Sequence, residues 1–227
     1  MSSAADTHEH NPHLAHHFET IEQQEEAQSM GMWLFLAQEF MFFGGLFCAY
    51  AVWRFTYHDA WFEGSSHLST FWGGLNTIVL LLSSYTMAMG VYYCQIGDTK
   101  RLTNRLIMTL GLGIVFVAVK LQFEWFPKFH DGVVPGQWWG PAGHYADMAA
   151  FPEQGHLQLF YFLYYVMTGM HAFHMLIGFG ILIPLIVMSA MGKFGPQRFM
   201  AILNFGLYWH FVDIVWVFLF PMFYLVT

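Results

Sequence analysis

Apolar and polar positions along this chain fall into long blocks, with no short period. Five blocks, residues 30–57, 71–93, 106–126, 157–191 and 199–226, are each apolar for at least about the 20 residues a helix needs to cross a bilayer. A membrane β-barrel would instead show short segments that alternate residue by residue. The pattern predicts an all-α integral membrane bundle of five transmembrane helices. The connection between the last two blocks is short, so those two helices are expected to be antiparallel neighbours. The longest connection, residues 128–156, carries Gly132, Pro135, Gly136, Trp138, Trp139, Gly140, Pro141 and Gly143. Connections of this length usually hold function or a partner. Its two tryptophans suit a membrane interface or a neighbouring subunit.

Composition agrees with this pattern. Apolar residues make up 56% of the chain and charged residues only 10%, where a soluble domain carries roughly 25% charge. The eight lysines and arginines set the sidedness. Lys100, Arg101, Arg105, Lys193 and Arg198 fall on the side shared with the amino terminus. Arg54 and Lys128 fall on the other side, with Lys120 close to it. The positive-inside rule then places the amino terminus in the cytoplasm and the carboxyl terminus outside. Residues 1–29 form a polar cytoplasmic tail and residues 30–227 the membrane domain. The tail has neither the basic start nor the apolar centre of a secretory signal. Its histidines (His8, His10, His13, His16, His17) are either solvated or an irregular metal tract, and residues 18–28 suit an interfacial helix. Cys48 and Cys94 fall at different depths, so no disulfide is expected, and two cysteines cannot build a cluster.

The candidate chemistry lies in the few polar groups inside the blocks. An ionisable side chain in the hydrocarbon is costly, so each such group needs a partner or a function. Glu39 is roughly 13 Å in from one edge at 1.5 Å rise per residue. It is read either as a proton-relay carboxyl or as an acid bonded to a neighbouring helix. His171 and His174 are three apart on one helix face, as are His210 and Asp213. With Glu39 they offer either a metal or haem site or an interhelical hydrogen-bond network. A bis-histidine haem would use His171 with His210, but Phe173, Tyr208, Trp209 and Phe211 crowd those turns. Lys120 and Glu124 are four apart and read as a structural pair reaching the headgroup region. Asn76 and Thr77 read as interhelical hydrogen-bonding groups. Asn76, Trp209 and Trp216 are also assigned to lipid or partner packing. Gly44-Gly45, Gly73-Gly74, Gly111 with Gly113, and Gly178 with Gly180 are expected to let helices approach closely.

Six segments in order resemble one known family. They are Gly31-Met32-Trp33-Leu34-Phe35 leading to Glu39, Leu75-Asn76-Thr77 with Leu80-Leu81-Leu82-Ser83-Ser84, and Gly97-Asp98-Thr99-Lys100-Arg101. Then come Leu121-Gln122-Phe123-Glu124-Trp125, Thr168-Gly169-Met170-His171-Ala172-Phe173-His174, and the 208–216 stretch with Trp209-His210-Phe211-Val212-Asp213. Together they resemble subunit III of the haem-copper oxidases, specifically of cytochrome c oxidase, in its five-span bacterial form. Longer members have two further amino-terminal spans and hold lipid in a cleft beside them. The resemblance implies a subunit with no haem or copper of its own, those centres belonging to subunits I and II. It implies packing on subunit I, bound phospholipid, support of proton uptake and durable turnover, and a place in the bacterial cytoplasmic membrane. A small subunit IV and a larger respiratory supercomplex are further candidate partners; nucleic acid is not expected. The alternatives are subunit III of a quinol oxidase and a haem-b membrane anchor using His171 and His210. A transporter would want broken helices and repeated halves, which the sequence lacks.

Overall fold

The computed structural model describes residues 18–226. Among these residues the chain is helical with no strand, and five helices are long and apolar enough to cross a membrane. The histidine tract at positions 8–17 lies outside the described residues.

Helix α1 spans Ile21–Thr56. Thr20 caps it by accepting the Gln23 N–H at 3.1 Å, and the Gln23 side chain returns to the Glu19 N–H at 2.9 Å. This is close to the reciprocal arrangement of a capping box. Residues 21–28 therefore continue the spanning helix instead of forming a separate interfacial one. A short helix α2, His58–Ser66, follows. Helices α3 (Thr70–Gln95) and α4 (Thr99–Val119) form a tight hairpin. Gly97 makes its turn with φ +81°, a conformation open to glycine. Asp98 then caps α4 by accepting the Arg101 N–H at 3.1 Å. Past Val119 the helix widens into π-helical turns over Lys120–Trp125 and continues as α5, Phe126–His130. A 3₁₀ segment, Gly143–Ala150, sits in the long connection. Helices α6 (Gln154–Ala190) and α7 (Met200–Tyr224) complete the bundle.

Packing centres on α7, which lies against α3 and α6, while α3 packs on α4 and α4 on α6. The expected pairing of the last two spans is present. Glycines make several close approaches possible; a Cβ at Gly64 would meet Phe160 at 2.3 Å, and one at Gly73 would meet Phe220 and Tyr224 at 2.9 Å. A Cβ at Gly113 would meet Phe179 at 2.7 Å and Trp209 at 3.1 Å; one at Gly178 would meet Trp209 at 2.8 Å. The large indole of Trp209 thus fills space that two other helices leave by lacking side chains. A Cβ at Gly44, Gly45, Gly111 or Gly180 would meet nothing within 4 Å among the described residues, so these four bring no two helices of this chain together. Helix α1 is peripheral: 6% of its most apolar window is buried, against 56% for α7. Met30, Trp33, Leu34, Phe40 and Met41 on it are all exposed.

Candidate functional site

Polar side chains inside the bundle form a broken column along α7. At one end, the Trp209 indole N–H donates to Ser83 Oγ at 3.0 Å, and the Thr86 and Thr109 hydroxyls meet at 2.8 Å. One residue on along each helix, His210 Nδ1 and Ser84 Oγ are 2.7 Å apart. Asn76 donates to the Phe116 carbonyl at 3.4 Å, and the Trp216 indole donates to Thr77 Oγ1 at 3.1 Å. Each bond joins two helices, which suits a membrane interior where water cannot satisfy polar groups. Asn76, Trp209 and Trp216, expected to pack on lipid or a partner, are enclosed at 0, 0 and 1% exposure. Their N–H groups find partners only inside the bundle, which accounts for their position.

The second part of the column is a buried cluster at the end that bears the 131–153 connection. Lys120 and Glu124 form an ion pair, closed by the hydroxyls of Tyr164 and Tyr224. Tyr164 lies 3.0 Å from Lys120 Nζ and donates to Glu124 Oε2 at 2.8 Å. The ammonium also sits over the Trp216 and Tyr164 rings, both at 4.8 Å. The pair was expected to reach toward the headgroups. Instead Lys120 and Glu124 are 3% and 1% exposed, because the π-helical turns carry them to the side facing α6 and α7. Neither tyrosine was singled out in the sequence. The available signal was that a tyrosine hydroxyl within an apolar span must find a partner.

The third grouping joins α1 to α6. His174 Nδ1 donates to the Met170 carbonyl at 2.7 Å, and His174 Nε2 lies 3.0 Å from Glu39 Oε2. The Met170 carbonyl can only accept, so Nδ1 carries the hydrogen of that bond, and the Glu39 carboxyl faces the other ring nitrogen. The Tyr208 hydroxyl donates to the His174 carbonyl at 2.7 Å. His171 points elsewhere: Nε2 donates to the Val212 carbonyl at 3.2 Å, and Nδ1 has no hydrogen bond among the described residues. Asp213 is buried at 3%, and its carboxyl has the Ser84 side chain as its polar neighbour, without a well-formed hydrogen bond among the described residues. It shares a helix face with His210, yet His210 bonds to Ser84 and not to Asp213.

Among the described residues no three of the His, Cys, Asp and Glu side chains are grouped so as to hold a metal ion. Cys48 is exposed and Cys94 buried, both with free thiols. Between α1 and α7 runs an apolar groove of about 520 Å³, lined by Trp33, Phe40, Met41, Leu207 and Ile214, with His210 in its wall.

Residues 157–227, which hold most of α6, all of α7, and His171, His174, His210 and Asp213, match the family model for cytochrome c oxidase subunit III. The chain is 31% identical over 198 residues to a probable cytochrome c oxidase subunit 3 of Nocardia farcinica, with 87% of each chain covered. It is 30% identical over 201 residues to a cytochrome c oxidase subunit 3 of Corynebacterium diphtheriae, again with 87% of each covered. A probable quinol oxidase subunit 3 of Staphylococcus saprophyticus is 27% identical over 221 residues, covering 94% of this chain and 97% of the relative. With relatives of this identity aligned over most of its length and five membrane-crossing helices, the chain belongs to the subunit III family of the haem-copper oxidases.

Proposed function

We propose that this multi-pass chain is the cofactor-free accessory subunit III of a proton-pumping cytochrome c oxidase in aerobic respiration. It works in a bacterial cytoplasmic membrane with its amino terminus inside and its carboxyl terminus outside. It has no active site. It packs on subunit I in a complex that includes subunit II, where haem and copper reside, binds phospholipid, and supports proton uptake and stable turnover. A small subunit IV and a larger respiratory assembly complete the candidate partners. The observation that carries this reading is the direction in which the buried histidines are spent. His171 bonds a carbonyl of α7, His174 bonds α1 through Glu39, and His210 bonds Ser84 on α3. Three imidazoles used to tie four helices together describe a framework, and the haem-anchor reading would need His171 and His210 free for a common ligand. The apolar groove between α1 and α7 offers a bed for acyl chains.

The proton-related role centres on Glu39. Glu39 and His174 bring a carboxyl and an imidazole together at the thin α1–α6 seam, with side chains 12% and 9% exposed, where a proton from the surroundings can reach them. Co-purification of the tagged chain with haem-bearing oxidase subunits tests the assignment; stoichiometric haem on this chain alone would refute it. Glu39→Gln in the intact complex tests the proton role. Oxygen reduction should persist, with a modest fall in pumped protons per electron or in turnover lifetime. Near-zero pumping with intact oxygen reduction would make Glu39 an obligatory relay.

The quinol oxidase reading rests on the Staphylococcus relative, which aligns over more of the chain than the cytochrome c oxidase relatives do. Oxidation of ferrocytochrome c against oxidation of a quinol by the purified complex separates the two.

A further inference from the structure

Two buried lysines lie at one end of the bundle and one buried carboxylate serves both. Lys120 takes Glu124 directly. Lys128 is 2% exposed, and its ammonium makes a single hydrogen bond, 3.3 Å to the Glu124 carbonyl. Otherwise it rests 5.5 Å over the Tyr145 ring and 5.8 Å over that of Tyr164. An ammonium has three donors, and a buried charge without a full partner is costly. Lys128 and Tyr145 also form part of the wall of a cleft of about 470 Å³ that opens beside α2 and the start of α3. Its volume falls in the range of ligand sites, roughly 300–1,000 Å³. Ser69 and His67 stand at its polar rim. The carboxylates near that rim are Glu63 and Asp147, which His67 meets at 3.2 and 3.8 Å, and Asp131, which is engaged by His130 at 2.9 Å and by the His144 backbone. The opposite wall is apolar: Trp72 and Phe123 stack at 4.0 Å with their planes 12° apart, and Phe123 is 46% exposed. A cationic floor, a hydroxyl rim and an aromatic wall at the level where α3 enters the membrane match the parts of one ligand, a phosphate with acyl chains attached.

We propose that this cleft binds the phosphate of a phospholipid from the leaflet at this end of the bundle, over Lys128 and Ser69, with its chains laid along Trp72 and Phe123. The site is separate from the α1–α7 groove and does not depend on which electron donor the complex uses.

The test uses the whole detergent-purified complex, stripped of lipid and titrated with dioleoylphosphatidylglycerol under native mass spectrometry. Two variants probe the site. Lys128→Met removes the charge. Ser69→Asp adds a repelling charge at an exposed position that precedes α3 and makes no side-chain cap bond, and aspartate is itself a favoured cap, so the fold tolerates it. Each variant should lose one tightly held lipid per complex, with affinity down about tenfold, the scale of one charge-assisted hydrogen bond. Should Lys128→Met fail to assemble, Ser69→Asp decides alone. Lipid binding unchanged in Ser69→Asp would overturn the proposal. Inorganic phosphate displacing the lipid at equal concentration would assign the cleft to the free anion and overturn the lipid reading. A cross-link from the cleft to a carboxylate of a partner subunit would overturn it as well.

Discussion

Two acid–base pairs sit inside this bundle, and they are built in opposite ways. Glu124 meets Lys120 within the π-helical turns that continue α4, and hydroxyls from α6 and α7 close around them. Glu39 meets His174 across the seam between the peripheral helix α1 and α6, with side chains 12% and 9% exposed. The first pair gathers donors from three elements onto one carboxylate oxygen. The second has one bond between its members and one backbone carbonyl behind the imidazole. The difference is one of enclosure. A fully enclosed pair cannot give up a partner without leaving a charge in hydrocarbon, so it works as a clamp. A pair at a thin seam has less enclosure to lose, so opening it costs the fold less.

Removing half of the enclosed pair should have the largest effect. Lys120→Met leaves Glu124 buried without its cation, and breaking such a pair costs about 3–5 kcal/mol. The variant subunit should be lost from the purified complex or melt well below the parent. Adding Glu124→Leu to Lys120→Met should recover much of that loss, since exchanging both partners for apolar groups is often neutral. A double variant as unstable as the single one would mean that the tyrosine hydroxyls, not the ion pair, hold this end together.

The seam pair should respond more weakly. Glu39→Leu leaves His174 Nε2 without its partner, worth about 1–3 kcal/mol for a buried unsatisfied group, and the partial exposure of the seam pushes the effect toward the lower figure. Loosened attachment of α1, read as faster amide exchange on the α1 side of the groove, is the expected sign. The same contrast can be read chemically. A hydrophobic carbodiimide attacks an accessible protonated carboxyl, so Glu39 should be labelled and Glu124, enclosed at 1% exposure, should not. Equal labelling would erase the distinction between clamp and seam.

The two pairs also differ in how far the sequence revealed them. Block hydrophobicity was enough for five helices and an α6–α7 neighbour pair, because span length and loop length are local properties. Glu39, His171, His174, His210 and Asp213 stood out as polar groups in apolar blocks. Their partners did not, since which helix a side chain meets depends on packing angles that no spacing encodes. His171 and His210 looked like one facing pair and instead point at different helices. The Lys120–Glu124 spacing was visible, but the widening of the helix that turns the pair inward was not. Tyr164 and Tyr224 read as ordinary apolar-span aromatics until their hydroxyls were placed on Glu124. Asp213 has beside it the Ser84 side chain, whose hydroxyl is already engaged with His210 at 2.7 Å.

A third pair extends the comparison to water and should show the smallest effect. His130 Nδ1 and Asp131 Oδ1 are 2.9 Å apart just beyond the end of the third span, with the histidine side chain 81% exposed. The hydrogen bond from His130, helped by the His144 backbone and by the nearby imidazoles, holds the Asp131 carboxyl below its ordinary value. A carboxylate with a lowered folded-state pKa stabilises the fold above its unfolded value, about 3.9. That contribution disappears as pH falls from there through the lowered value. Exposed pairs are screened by salt as well. Asp131→Asn should therefore leave assembly unchanged at pH 7. It should slightly increase proteolytic cutting of the 131–153 connection, and that increment should shrink with added salt and vanish once the parent's own carboxyl is protonated in acid. If the increment persisted in strong acid, the carboxylate would not be its source. The Ala142 N–H bond to the Asp131 carbonyl, 2.9 Å, which survives the substitution, would then be the contact to examine.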